Sequence, residues 1–326
     1  MTKQDFDTAP PQDNPSPTWE RDLLNRLAFA ALKEQRRARR WGIFFRFALI
    51  AYLLLLLLIY LPANLHPSHS GGEHTALVEI RGPIAEGHDA SADRVISGLR
   101  SAFEDKNTKG VVLRINSPGG SPVQAGYIND EIARLHEKYP DIPLHAVIMD
   151  ICASGGYYVA VAADRIYADK SSIIGSIGVL IDGFGFVEAM EKLGVERRLL
   201  TAGEHKGLLD PFSPTDPAAR SHLQSVLDEL HRQFIQEVKE GRGDRLRGGE
   251  DELFNGLVWS GKQAVRLGLA DALGNSSYVA REIIGAENIV DFTWERDYLE
   301  RFAERLGAVM GRALVTGLAT GPGHLR

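Results

Sequence analysis

The chain has 326 residues, 44% hydrophobic and 25% charged, enough for one well-cored domain of roughly 200 residues with further segments beside it. A net charge of −6 gives no basis for nucleic acid as a partner. The single cysteine, Cys152, excludes an intrachain disulfide, and no Cys/His spacing suggests a zinc site, so neither metal nor cofactor is expected.

Residues 1–18 are polar and proline-rich, which points to a disordered tail. Trp19 to Leu32 has apolar positions at helical spacing and reads as a short amphipathic helix at a membrane surface. Five cations follow, Lys33, Arg36, Arg37, Arg39 and Arg40, which makes 1–41 a basic amino-terminal segment. From Trp41 to Leu61 the chain is apolar except for Arg46, with unbroken leucine from Leu53 to Leu58. About 20 such residues in a helix reach about 30 Å, the hydrocarbon thickness of a bilayer, so 42–61 is expected to be a single transmembrane helix. A cleaved signal peptide fits less well, because the polar lead is long and Pro62-Ala63-Asn64 is a poor cleavage site. The cations precede the span, so the positive-inside rule keeps the amino terminus in the cytoplasm and puts the following chain on the other side. Residues 62–75 read as a flexible linker.

A folded domain is expected over 76–290. Ala76 to Ile84 alternates like a strand, Ser91 to Asp105 has helical periodicity, and Gly110 to Asn116 is a second strand. Ser117-Pro118-Gly119-Gly120 makes a sharp turn, and Ser121 with Pro122 forms an N-cap pair opening a helix to Lys138. Leu144 to Met149 is a strand, the next helix follows Ser154, and Arg165 to Ala168 is a strand again. This alternation indicates an α/β fold of right-handed βαβ units on a largely parallel sheet. Further on, Ser172 to Ile181 is apolar and punctuated by glycine, Val195 to Thr201 reads as a strand, and Asp216 to Glu240 as a long helix. Val258 to Leu269 reads as another helix, and 291–326 holds an amphipathic tail from Arg296 to Leu318.

The chemistry concentrates at Cys152-Ala153-Ser154-Gly155-Gly156, where a strand turns into a helix. Small residues permit a tight turn, and a serine at a helix amino end lies where free N–H groups favour negative charge. Ser154 alone could be an ordinary N-cap. The parallel layout, however, brings the Gly119-Gly120 turn beside it, at the sheet edge where open α/β folds bind ligands. Amides of Gly119 and Gly120 could then meet an oxyanion formed when Ser154 attacks a carbonyl. An activated serine needs a base, and no Gly-x-Ser-x-Gly elbow or histidine arrangement supplies one. The stretch Gly203-Glu204-His205-Lys206-Gly207 offers Lys206, which as an isolated lysine would simply be solvated. A serine–lysine dyad requires an uncharged amine near neutral pH, and desolvating an ammonium that far costs roughly 4 kcal/mol. Cys152 reads as a buried small side chain, the Tyr157-Tyr158 pair as packing beneath the site, though one ring could line a substrate pocket, and Asp150 and Glu204 as solvated or capping groups.

Four motifs in order, Ser117-Pro118-Gly119-Gly120, Ala153-Ser154-Gly155-Gly156-Tyr157-Tyr158, Gly175-Ser176-Ile177-Gly178-Val179 and Gly203-Glu204-His205-Lys206-Gly207, resemble the short, single-domain form of the bacterial signal peptide peptidases of the SppA family. The resemblance covers Ala76 to Ala280. It implies a ClpP/crotonase-like fold and a membrane-anchored serine endopeptidase that hydrolyses signal-peptide remnants in the bilayer. By position it makes Ser154 the nucleophile, Lys206 the base and Ser176 the hydroxyl that orients the lysine. Gly175, Ile177, Gly178 and Val179 would lie on an edge that pairs with an extended, apolar peptide. It also implies a homo-oligomeric ring, residence in the bacterial inner membrane and a periplasmic catalytic domain. Alternatives are a SohB-like envelope protease acting on other peptides and a non-catalytic peptide-binding scaffold. A crotonase-type acyl-CoA enzyme would have no use for the anchor or the serine–lysine spacing.

Overall fold

The computed structural model describes residues 18–60 and 72–294, and its contacts divide the chain into two units, Met1–Ser68 and His69–Arg326. Residues 1–17 of the expected tail, most of the linker over 62–75 and the amphipathic segment Arg296 to Leu318 lie outside the described residues.

The first unit is one helix, α1, Thr18–Tyr60. The amphipathic stretch, the cations and the start of the leucine run therefore share a single continuous rod. Trp41, Phe44 and Phe45 pack edge-to-face and tilted, with ring centroids 5.7–5.8 Å apart, yet each remains exposed. Among the described residues no helix is long and apolar enough to cross a membrane. The end of the expected span, side chains 57–61, falls outside the described residues.

In the second unit the order is β1 His74–Arg81, α2 Ala92–Glu104, β2 Thr108–Ser117, α3 Pro122–Lys138, β3 Leu144–Ala153, α4 Gly155–Ala160, β4 Arg165–Ala168 and β5 Ile173–Gly175. It continues with α5 Val187–Leu193, α6 Pro217–Arg242, α7 Glu250–Leu253, β6 Val258–Ser260, α8 Gly261–Leu267, β7 Ala272–Leu273, α9 Ser276–Tyr278 and β8 Ile289–Asp291. The main sheet path runs β6-β5-β3-β2-β1-β8, with β4 joining β3 to β7. Every pairing is parallel except β5 with β6, so the alternating strands and helices do build an α/β sheet. Burial on both faces explains the near-continuous apolar runs of β1, β2 and β3. One face carries the large core, including Leu99, Phe103, Ile128, Ile132 and Tyr157, and the other a smaller cluster around Val112, Val147 and Tyr167.

Three expectations need correction. The strand from Leu144 does not stop at Asp150 but runs to Ala153, because its upper half finds a second partner in β5. Val195 to Thr201 forms no strand: Val195, Leu199 and Leu200 are exposed, and no neighbouring edge supplies hydrogen bonds. The single helix expected from Val258 is a short strand followed by α8, since Ser260 and Gln263 form a capping box that starts the helix only at Gly261.

The helix layer is tied by Glu131 of α3, whose buried carboxylate takes Arg100 Nε of α2 at 2.7 Å and Arg134 Nη2 at 2.6 Å. Both guanidinium groups bind through two nitrogens, and they hold its pKa down to about 2. That stabilisation is complete above the unfolded value near 4.3 and is lost as the pH falls from there toward about 2. Because the two arginines are half exposed, Glu131→Gln should cost only about 1–2 kcal/mol at pH 7. In thermal melts the gap between wild type and variant should close as the pH is lowered from about 4.3 toward 2.

Candidate active site

The site forms where β2 and β3 end side by side. Ile115 pairs with Ile148, but Ser117 pairs with Cys152, so β3 carries two extra residues and bulges around Asp150. Asn116 holds the bulge: its Nδ2 donates to Asp150 Oδ2 at 2.9 Å and its Oδ1 accepts the Ile151 N–H at 3.3 Å. Asp150 thus shapes the strand end rather than facing the serine. Beyond the bulge, Cys152 pairs with Ile174 and Ala153 with Gly175. The Ser154 N–H then donates to the Gly175 carbonyl at 2.9 Å.

Held this way, Ser154 adopts φ 51° and ψ −124°, a sparsely populated conformation for a residue with a side chain. Such strain typically costs about 1–3 kcal/mol and persists only where the surroundings enforce it. Although Ser154 precedes α4, its side chain makes no capping hydrogen bond, so the ordinary N-cap role does not apply. Ser154 lines the open cleft instead of capping the helix.

The neighbouring turn comes as close as glycine allows. A Cβ on Gly119, at φ 101°, would stand 2.8 Å from Ser154 Cβ and from the Ala153 carbonyl, while one on Gly120 would collide with the Ile84 carbonyl. The Gly119 N–H donates to Ser117 Oγ at 3.1 Å, so this amide is occupied. The Gly120 N–H has no acceptor among the described residues. Gly155 opens α4, so its N–H has no intrahelical acceptor either, and a Cβ there would lie 3.3 Å from the Gly120 nitrogen. Two unspent amides, Gly120 and Gly155, therefore flank the serine. Gly155 was not singled out from the sequence, although standing directly after the serine at a helix start was a usable signal.

Ser154 opens into a cleft of about 820 Å³ between α3 and α6. Val123, Tyr127, Tyr158, Phe234, Val179 and Leu180 supply much of its lining. The tyrosine pair splits: Tyr157 is buried and donates its hydroxyl to the Leu269 carbonyl at 2.8 Å, whereas Tyr158 lines the cleft. Cys152 is fully buried, and burial alone pushes its thiol pKa far up, so it is no nucleophile. Ser176, Gly178 and Val179 lie on the cleft wall. Ser176 also has a positive φ of 53°, and its N–H donates to the Leu257 carbonyl at 2.8 Å. Gly175 pairs with Val258 of β6, and the buried Ile177 offers its carbonyl to His231 Nε2 at 3.1 Å.

Lys206 is not part of that cleft. It sits in an exposed turn, its N–H donating to the Gly203 carbonyl at 3.1 Å, on a segment whose Phe184, Leu193 and Leu200 are at least 78% exposed. Glu204 is exposed too, and His205 faces Asp216 at 3.9 Å. Among the described residues, no lysine of the same chain lines the cleft.

The family model described as Peptidase family S49 matches residues 136–289, a stretch that contains both Ser154 and Lys206. The chain is 45% identical over 190 residues to a protein of Brucella abortus (strain 2308) named "Na(+)/H(+) antiporter NhaA", covering 57% of this chain and 25% of that one. It is 32% identical over 198 residues to "Putative signal peptide peptidase SppA" of Enterococcus faecium, covering 61% and 57%. It is 34% identical over 199 residues to "Putative protease slr0021" of a Synechocystis strain, covering 61% and 69%. The chain thus spans only a quarter of the Brucella protein and just over half of the Enterococcus one.

Gly119, packed against Ser154, and Gly126, on the cleft wall, should respond oppositely to a methyl group. Gly119→Ala combines a positive φ with a close contact to backbone and should destabilise by about 2 kcal/mol or more. Gly126→Ala, in α3 with nothing within 4 Å of the added carbon, should stabilise by about 0.5–1 kcal/mol. Thermal melts of the two variants would check the contrast.

Proposed function

Because the chain belongs to peptidase family S49, we propose that it is a serine endopeptidase in which Ser154 is the nucleophile and Lys206 the general base. The observation that carries this reading is the strained, uncapped Ser154 hydroxyl at the mouth of an apolar cleft, beside the free Gly120 and Gly155 amides. Lysine Nζ takes the hydroxyl proton as Oγ bonds to the scissile carbonyl carbon. The oxyanion is met by the two amides, where each donor is typically worth about 3–4 kcal/mol. Collapse breaks the C–N bond, and the ammonium returns its proton to the leaving amine. Water, activated by the same amine, then releases the acyl group and restores Ser154.

The exposure of Lys206 and of the apolar side chains around it supports a base delivered by a second copy of the chain. Enclosure between copies would strip water from its amine, which a base in such a dyad requires. Ser176, on the cleft wall, is the group proposed to orient that amine. A ClpP/crotonase-like fold and a ring of copies belong to the same reading.

The apolar lining and the wall at Gly178 to Leu180 favour extended apolar peptides as substrates, with signal-peptide remnants as the physiological class. Membrane anchoring through 42–61, with the catalytic unit on the periplasmic side of the inner membrane, rests on the leucine-rich run and the cations before it. The antiporter name belongs to a protein of which this chain matches only a quarter.

Labelling of the full chain with a fluorophosphonate should be strong in wild type and absent in Ser154→Ala and Lys206→Ala. Co-expressing the two variants should restore labelling at about a quarter of sites, because a ring joins one copy's serine to its neighbour's lysine. No restoration would place the base within the subunit, and an inert wild type would favour a peptide-binding scaffold.

A further inference from the structure

The cleft beside Ser154 contains only one formally charged side chain among its described lining residues, Asp130. It belongs to the face of α3 made by Pro122, Val123, Gly126, Tyr127 and Asp130, residues at helical spacing along the cleft. Asp130 is exposed and has no ion-pair partner among the described residues, whereas most nearby carboxylates are paired or bonded. Glu229 holds Arg232 at 2.6 Å, Glu250 holds Lys239 at 2.6 Å, and Glu240 accepts from Gln236 Nε2 at 2.6 Å.

Behind Tyr158 lies a shallower recess that also includes Glu237, separated from the cleft by Tyr158 and Gln233. Among the described residues Glu237 forms no ion pair, and burial together with Glu240 and Asp130 holds its carboxyl above the usual range. The same negative surroundings, added to burial, push Tyr158 up to about 12. The recess also holds Arg232, but that guanidinium is engaged by Glu229 at 2.6 Å, so Asp130 and Glu237 leave this end of the cleft with a net negative charge beside walls that are largely apolar.

We infer that Asp130 is a specificity-determining residue that favours peptides presenting a lysine or arginine side chain along the α3 wall; the inference rests on the peptidase reading of the Ser154 cleft. A basic side chain suits the geometry because its methylene stem can lie against Val123 and Tyr127 while its charged head reaches Asp130. The ring faces of Tyr127 and Tyr158 add a further place for a cation. From Pro122 at the glycine turn to Asp130 is eight residues of α3, about 12 Å at 1.5 Å per residue. A lysine side chain spans about 6 Å, so the contact belongs to a residue at or a few positions from the scissile bond. An otherwise apolar peptide with one cation near the cut is the substrate chemistry selected.

The test uses the full chain in detergent and one extended apolar peptide in which lysine, norleucine or glutamate is placed at each position around the cut. In wild type, one position should show a lysine-to-norleucine ratio of kcat/KM of about three- to five-fold at low salt, shrinking in 0.5 M salt. Within Asp130→Asn that ratio should fall to about one, and within Asp130→Lys the preference should pass to glutamate. Cleavage with no lysine preference at any position, or a preference that survives in Asp130→Asn, would overturn the inference and leave the peptidase reading intact. If no peptide is cut, the peptidase reading falls, and fluorescence anisotropy on the Ser154→Ala chain decides the subsite by the same lysine-to-norleucine comparison, with and without Asp130→Asn.

Discussion

The site depends on one close approach: the Gly119 backbone lies against Ser154 with no room for a methyl group between them. Two βα turns can come this near only if their strands are adjacent, parallel and of matched length. The extra residues in β3 adjust that match, and the Asn116–Asp150 clamp keeps them in place. The strain at Ser154 is then enforced from both sides, by Gly119 on one and by the hydrogen bond to Gly175 on the other. Relaxing either contact would let the serine turn back toward an ordinary N-cap and spend the hydroxyl on its own helix.

The opposite wall of the cleft is set by a different force. Helix α6 is anchored at its carboxyl end by Arg242, fully buried, whose Nη1 lies 2.8 Å from Asp271 Oδ2 and whose Nε donates to the Gly268 carbonyl at 2.9 Å. Asp271 also accepts the Ile166 N–H at 2.7 Å, so the same carboxylate joins α6 to strand β4. Buried ion pairs contribute little net stability but are costly to break singly, which suits a device that fixes a position. Upstream on the same helix, His231 reaches the Ile177 carbonyl and ties the helix to the wall beyond β5. Cleft width thus follows from polar anchors, while its lining remains mostly apolar.

Charge is distributed unevenly between the chemistry and its surroundings. Ser154 sits among glycines and neutral amides, where a developing negative charge would meet little competing charge. Lys206 remains on a solvated turn, and the apolar residues of its segment lie exposed around it. A segment this apolar and this uncovered is stable in water only at some cost, which burial against another surface removes.

Much of this was legible before any coordinates. The capping pair Ser121-Pro122 and the four-residue strand Arg165–Ala168 appear as their local chemistry dictates, because caps and breakers act within a turn of chain. The glycine turns and the serine between strand and helix were equally readable. Val195 to Thr201 and the strand before α8 were not: the first has strand composition but no edge to pair with, and Val258 and Trp259 were drawn out of the helix by pairing with β5, although the Ser260–Gln263 capping box that starts α8 is local. Gly119 and Gly120 could not be told apart as donors, since that depends on where the Ser117 hydroxyl points. By itself the sequence determined the α/β alternation, the residues of the turns and the placing of Ser154 between a strand and a helix, since these depend on neighbours along the chain. Only the tertiary structure decided which amides stay free, which tyrosine faces the cleft and where Lys206 lies, because each of these depends on contacts between residues far apart in the chain.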